Sequence, residues 1–389
     1  MQKYRRLALK WHRDEADAAH AAFLAVIASN TRRADDPWAI VTTAVSRTLK
    51  AETRADRHLI STERARHPQK LTHEPPVPSG ADDVGIANAT ADAAMTLGGQ
   101  LVFVRGCARD EPRAAASSAR AIARLLLPKT QDGMLQLAVG PAGVHSDSKD
   151  SFVLMAEVAA EFGLRRRTQA NEQVDVAIAL EKYGKRPLAL LEEWGWLEAG
   201  VTIAHLCDVT EEEIERLAAS GVTATHAPGC DLPMGWGIAP VARLRAAGII
   251  VGLGTSGGGS NDASHLLADA RLAMQVAPLV GPPLSAREVL GMATEGSAIG
   301  LGRPELGNLR PGSAADLCVW DVSGVADAGV ADPVAGLLWA SPGRRPKHVV
   351  VNGEIVVRDY TLVNADEAEI VARLRERVGR SSREMNTLL

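Results

Sequence analysis

The sequence predicts an α/β fold built from repeated strand–helix units, and three observations carry that reading. Short apolar runs alternate with amphipathic stretches from about residue 98 onward. Six such units can be counted, with room for two more upstream. The tail then changes to short strands joined by Gly, Pro and Asn-Gly turns. Strands alternating with helices imply a parallel sheet. Eight units favour a (β/α)8 TIM-like barrel with a small β appendage, and the alternation by itself leaves an open parallel sheet as the other solution.

Taken in order, residues 1–75 read as mainly helical after a short opening strand, with Asp14–Ser29 at helical apolar spacing. The Pro-rich HEPPVPSG, His73–Gly80, reads as a loop. The strand runs are LVFVRG at 101–106, LQLAVG at 135–140, a short piece near 164–170, VTIAHL at 201–206, VTATHA at 222–227 and IIVGLGT at 249–255. Helices are expected at Ala114–Leu127, Ser151–Phe162, Val174–Tyr183, Glu211–Ser220 and Pro240–Ala247. In the tail, Val349–Val351 and Ile355–Val357 flank Asn352-Gly353, a strong hairpin signal. Ala365–Val378 reads as a charged amphipathic helix. The expected organisation is a barrel over 1–305 (1–97 diverged), a β appendage over 306–362 and a C-terminal helix over 363–389.

Composition excludes several classes of partner. A chain of 389 residues, 46% hydrophobic and 23% charged, can bury a large core in water. Lys and Arg total 43 against 47 acids, with no sustained basic stripe, which argues against nucleic acid. The run Arg165-Arg166-Arg167 reads as a solvated strand edge or loop. No apolar stretch reaches the roughly 18–20 residues that cross a bilayer, so no membrane partner is expected. No apolar h-region follows the basic N-terminus, which argues against a signal peptide. Cys107, Cys207, Cys230 and Cys318 are scattered and none forms Cys-x-x-Cys. That argues against a Cys-based zinc site and makes a reduced, cytoplasmic setting the expectation.

Barrels of this kind carry their chemistry at the C-terminal ends of the strands. The polar residues there are His12 and Asp14, Gln169 and Glu172, His205 with Asp208 three on, His226, and the group Ser256, Ser260, Asn261 and Asp262. A His, an acid or an amide at nearly every strand end exceeds what loops need, although a single strand-end His also serves as a hydrogen-bonded structural residue. The run GLGTSGGGSND at 252–262 lacks G-x-G-x-x-G and a following Lys-Ser or Lys-Thr. It reads as a tight turn under a ligand rather than a phosphate cradle.

Three stretches carry a family likeness: LEKYGKRPLALLEEWGWLEAGVTIAHL at 180–206, ATHAPGCDLPMGWGIAPVARLRAAGIIVGLGTSGGGSNDASHLLADARLAM at 224–274, and ELGNLRPGSAADLCVWD with HVVVNGEIVVRD in the tail. Together they resemble the amidohydrolase superfamily, in particular the 8-oxoguanine deaminase, guanine deaminase and triazine hydrolase group. The likeness covers roughly residues 98–360. It implies a distorted (β/α)8 barrel, a β-sandwich made from both chain ends, and a divalent metal, usually zinc, that lowers the pKa of a bound water.

The ligand pattern that the resemblance implies is His-x-His on the first strand, His followed three residues later by Glu on the fifth, His on the sixth and Asp on the eighth. On this chain the first falls at His12-Arg13-Asp14, the fifth at Thr168–Glu172, the sixth at His205 and the eighth at Ser256. Gln169 then stands in the place of a ligand His and Ser256 in that of the Asp, while Glu172 and His205 are kept. An amide and a hydroxyl are weak donors for zinc, and a catalytic site usually needs three protein ligands. No cofactor is therefore expected, with zinc only in the alternative case. The leading expectation is a degenerate barrel that binds a small nitrogen heterocycle, or acts on it without metal through Glu172, His205 and Asp208, with Gln169, His226, Ser256, Ser260 and Asn261 lining the pocket. One alternative is an active C–N hydrolase or deaminase with rearranged ligands (His12, Asp14, His205, with Asp208 or Asp262), and the other is a non-catalytic subunit of an intact paralogue. Whether the chain is an enzyme stays open at this point. The short lead before His12 suggests an incomplete sandwich, whose bare strand edge would favour a homo-oligomer or a hetero-oligomer with a paralogue.

Overall fold

A computed structural model describes residues 81–130, 133–257, 260–261, 263–340 and 343–376, all within one compact unit. The expectations for His12, Asp14, Asp262, the Asp14–Ser29 helix and the His73–Gly80 loop lie outside the described residues.

Among the described residues, six strands form one parallel sheet in the order in which they occur in the chain: β1 Leu101–Cys107, β2 Leu135–Pro141, β3 Arg165–Ala170, β4 Val201–His205, β5 Thr223–His226 and β6 Val251–Leu253. A doubly wound sheet reverses its order part-way, and this one never does. Every crossover steps the same way, as in a barrel wall. Helices fill the crossovers: α1 Ala81–Leu97 precedes β1, and α2 Pro112–Leu126, α3 Lys149–Phe162, α4 Gln173–Tyr183, α5 Pro187–Glu193 and α6 Glu211–Ser220 follow. After β5 come α7 Pro228–Met234 and α8 Val241–Ala246, and after β6 come α9 Leu266–Val280, α10 Ala286–Gly291 and α11 Ser297–Leu301.

Local chemistry sets these boundaries. Thr210 and Glu213 form a capping box at the start of α6, and Gly221 ends it in the left-handed region at φ 74°. Between strands and helices lies the main core, where Val201, Ile203, Leu217, Phe152, Trp196 and Val289 are fully buried. Phe152 meets Trp194 and Trp196 with ring centroids 5.1 and 5.2 Å apart. At roughly 25 cal/mol per Å² of apolar surface, such rings dominate the packing energy of this layer.

The arginine run is an interior strand and not a solvated edge, because β3 pairs with β2 on one side and β4 on the other. Arg166 lies over the Trp196 ring at 5.2 Å and donates to Gly195 O at 2.8 Å. Arg165 and Arg167 take the opposite face, towards Gly300 and Gly302 in and beyond α11. Burial lowers both pKa values, and both Nε atoms lack a partner. The backbone of β2 approaches Arg167 so closely that a side chain at Gly140 would collide with its carbonyl.

The tail forms a separate four-stranded antiparallel sheet, ordered β10-β9-β8-β7. Its strands are β7 Leu317–Val319, β8 His348–Val351, β9 Glu354–Arg358 and β10 Thr361–Leu362, with α12 Pro333–Trp339 between β7 and β8. Asn352 (φ 50°) and Gly353 (φ 85°) make the two-residue turn from β8 to β9. Positive φ at both positions is what an Asn-Gly hairpin turn supplies. Residues 367–376 are helical.

Candidate active site at the strand ends

The C-terminal ends of the strands converge polar side chains. Ala170 of β3 is level with His205 of β4, so Glu172 stands just beyond His205. His226 ends β5, and α7 then returns Cys230 and Asp231 towards the same place. Asn171, His205, Leu206 and Ser256 all have positive φ, at 59°, 76°, 54° and 58°. Such backbone is uncommon for non-glycine residues, and it clusters where surrounding bonds enforce it for function. Here Leu206 N–H donates to Ala170 O at 3.0 Å and Asp208 N–H donates to Asn171 O at 2.7 Å. These two bonds hold neighbouring strand ends together and turn His205 inward.

Glu172 is the most unusual group. It caps the start of α4 without a side-chain capping bond, is 1% exposed, and has no hydrogen-bond partner on either carboxylate oxygen among the described residues. Burial pushes its pKa up to about 8, with Asp175 and Asp231 adding to the rise and His205 opposing it. Beside it, His205 Nδ1 lies 2.5 Å from Asp231 Oδ1, both groups being buried. Burial works against the imidazolium, but the hydrogen bond that it donates to Asp231 and the charges of Glu172 and Asp231 outweigh it, so the His205 pKa is raised. Trp236 packs edge-on against His205, with centroids 5.1 Å apart, and its indole N–H is buried without a partner.

A second His–acid pair stands alongside. His145 Nδ1 is 3.2 Å from Asp175 Oδ1, and Asp175 Oδ2 accepts from Asn171 N–H at 2.9 Å. Asp175, fully buried, thereby ties the turn that carries Glu172 to the end of β2.

The structure separates the other expected residues. Asp208 points away from Glu172. It pairs with Arg186 at 3.3 Å, its side chain is 41% exposed, and its carbonyl accepts from Asn171 and Arg186. The like charges beside Glu172 are Asp175 and Asp231. Gln169 is half-buried on β3. His226 is buried, with Nδ1 unpartnered and 4.0 Å from Asp231 Oδ2; burial lowers its pKa to about 4. Ser256 and Ser260 stand beside the Cys230 sulfur. Asn261 is structural glue, donating to Thr255 O at 3.0 Å and to Asp269 Oδ2 at 2.9 Å.

Residues 72–356 match the amidohydrolase family, and the chain belongs to it. It is 35% identical over 268 residues to the 8-oxoguanine deaminase of Pseudomonas aeruginosa, which covers 67% of this chain and 58% of that protein. It is 30% identical over 246 residues to a 5-methylthioadenosine/S-adenosylhomocysteine deaminase of Nitratidesulfovibrio vulgaris, covering 62% of this chain and 56% of the relative. The chain thus spans a little over half the length of these curated relatives. Among solved structures, the atrazine chlorohydrolase of Arthrobacter aurescens complexed with zinc superposes with a TM-score of 0.66 at 36% identity, covering 74% of this chain and 67% of that one. The (β/α)8 amidohydrolase barrel is therefore the fold of this chain, and the open-sheet alternative falls away.

The expectation of no metal cofactor is corrected by the same comparison, since the similar chlorohydrolase was solved with zinc, in one variant together with atraton. The side chains of this chain fit a divalent cation. Glu172 and Asp231 leave three buried carboxylate oxygens without a partner, and His205, Cys230 and Asp231 bring one ligand atom each within 4.8 Å of one another. His145, Glu172 and Asp175 do the same next to them. Unpaired buried carboxylates are costly in a protein, and a cation removes that cost. The weak donors Gln169 and Ser256 do not empty the site of ligands, because stronger ones stand elsewhere. His145 follows its apolar run within four residues of Pro141, so the strand-end rule reaches it. Cys230 and Asp231 sit inside α7, where no spacing in the sequence marks them.

Proposed function

We propose that this chain is a zinc-dependent hydrolase that displaces an amino or equivalent leaving group from a planar nitrogen heterocycle. The observation that supports it is the buried Glu172 carboxyl, without partner, beside the His205–Asp231 pair at the strand ends. The relatives support the substrate class: one is a deaminase of 8-oxoguanine, one of 5-methylthioadenosine or S-adenosylhomocysteine, and the similar solved structure is an atrazine chlorohydrolase.

His205 and Asp231 are the donors that would hold the metal. Zinc bound there supplies a water whose pKa falls towards neutrality. The remaining steps belong to the protein. Burial and the neighbouring carboxylates push the Glu172 pKa up, which suits this group to deliver a proton to a ring nitrogen. That protonation makes the adjacent ring carbon electrophilic. Attack of a water oxygen on that carbon returns one water proton to Glu172 and passes the other to the amino nitrogen, and the carbon–nitrogen bond breaks to release ammonia. Asp231 fixes the tautomer and orientation of His205 through Nδ1. Trp236 offers an indole N–H and an aromatic edge at the same mouth.

The test is ammonia or chloride release by zinc-loaded protein from a panel of aminopurines and amino- or chlorotriazines. Turnover of at least one class is expected. No release from any member, with stoichiometric zinc verified by elemental analysis, would overturn the reading.

A further inference from the structure

We propose that the metal centre of this chain is thiolate-bearing, with Cys230 as a ligand beside His205 and Asp231. The inference rests on the zinc-hydrolase reading and deepens it. Cysteine is set aside in the sequence because no Cys-x-x-Cys pair exists, yet folding brings Cys207 and Cys230 to the same carboxylate. Cys230 is fully buried, and its sulfur lies within 4.8 Å of the ligand atoms of His205 and Asp231. Cys207, two residues beyond His205, lies beside the same carboxylate.

A second observation points to a ligand independently of the cluster. Asp231 is fully buried, and its Oδ2 has no hydrogen-bond partner. His226 Nδ1 is 4.0 Å from that oxygen and itself unpartnered. The His205 imidazole, the unpartnered Asp231 oxygen and the Cys230 thiol form a donor set of mixed hardness. Imidazole, thiolate and carboxylate are the three side-chain types that zinc takes. Such a set replaces the weak Gln169 and Ser256 with strong donors contributed by β4 and α7. Ser256 and Ser260 then serve the site indirectly. Both hydroxyls stand beside the Cys230 sulfur, where they can orient it as outer-shell partners orient ligands in metal sites generally. Coordination sends the thiol proton to solvent.

Cobalt(II) reports thiolate ligation directly. The full chain is stripped with chelator and titrated with cobalt(II) chloride alone, and the near-ultraviolet thiolate-to-cobalt charge-transfer absorption is followed. The parent should take up about one equivalent and develop the band. Cys230→Ser should lose the band and weaken cobalt and zinc binding by at least the roughly 10–100-fold that loss of an outer-shell partner costs. Cys318→Ser, on the exposed tail strand, should keep both. Asp231→Asn should weaken binding yet keep the band. Should Cys230→Ser fail to fold by circular dichroism, the parent spectrum and Asp231→Asn still decide. One equivalent of cobalt bound without a charge-transfer band overturns the thiolate assignment and leaves the hydrolase reading standing. A band that survives Cys230→Ser and disappears in Cys207→Ser overturns the choice of Cys230. Failure to bind cobalt or zinc at all overturns both readings.

Discussion

At the scale of single residues, the site depends on carboxylates that differ in their surroundings. Glu172 is buried without a hydrogen bond, whereas Asp208 is half exposed and paired with Arg186. Replacement should therefore separate them. Glu172→Gln should lower turnover by about 10²- to 10⁴-fold, the usual span for one general acid–base group, with zinc content unchanged. Asp208→Asn should leave turnover within about a factor of three, since removing a partly exposed pair costs roughly 0–1 kcal/mol. Steady-state rates with elemental analysis check both. An equal loss in the two variants would place Asp208 in the chemistry after all. His205 and Glu172 are legible from sequence because a polar residue closing an apolar strand lands at the barrel mouth. Asp231 is not, since its bond to His205 spans 26 residues and exists only after α7 turns back over β5.

At the scale of elements, apolar runs place all six parallel strands to within two residues at each end, because a strand buried on both faces must be apolar throughout. The exception is β3, whose Arg165-Arg166-Arg167 looks solvated in sequence and is interior in the fold. Sequence cannot show that Trp196 and the α11 glycines wait on either side. Short helices also escape the periodicity, among them α5, α7 and α12 at seven residues each. The β8–β9 turn is legible outright, and it is testable. Gly353→Ala should destabilise the chain by about 1–2 kcal/mol, the cost of a side chain in left-handed backbone, read by chemical denaturation. An unchanged midpoint would mean that the appendage unfolds separately. The capping box of α10 gives a pH signature. Glu288 accepts from the Ser285 backbone and hydroxyl, with Arg245 adding to the effect, and its pKa falls to about 2. A depressed carboxyl contributes stability above its unfolded value, near 4.5, and loses it as pH falls towards 2. Glu288→Gln should therefore lower the melting temperature at neutral pH, and the gap from the parent should close between about pH 4.5 and 2. A gap independent of pH would show that the box contributes through packing alone.

At the scale of the whole molecule, a cation at the strand ends should act as a clamp, because β4 and α7 both supply its ligands. Chelator treatment should lower the melting temperature, and readded zinc should restore it, by RT ln(1 + [L]/Kd), about 2.7 kcal/mol at a hundredfold excess over Kd. Identical melting curves with and without zinc would show that the metal does not bridge these elements. Strand β3 has a further consequence. Its N-terminal half carries Arg165 and Arg167, and just past its other end, roughly 16 Å away at about 3.3 Å per residue, stand Glu172 and Asp175. One strand thus holds positive charge at one end of the barrel, while the carboxylates of Asp175 and Asp231 stand at the other. That gradient makes the mouth an attractor: a dication diffusing nearby is drawn in, and an anion is turned back. Steering of this kind is screened over about 10 Å at 0.1 M salt and about 3 Å at 1 M. Metal capture should accordingly slow as salt rises while release changes little, so the barrel can gather a scarce ion quickly in dilute surroundings and lose that advantage in brine.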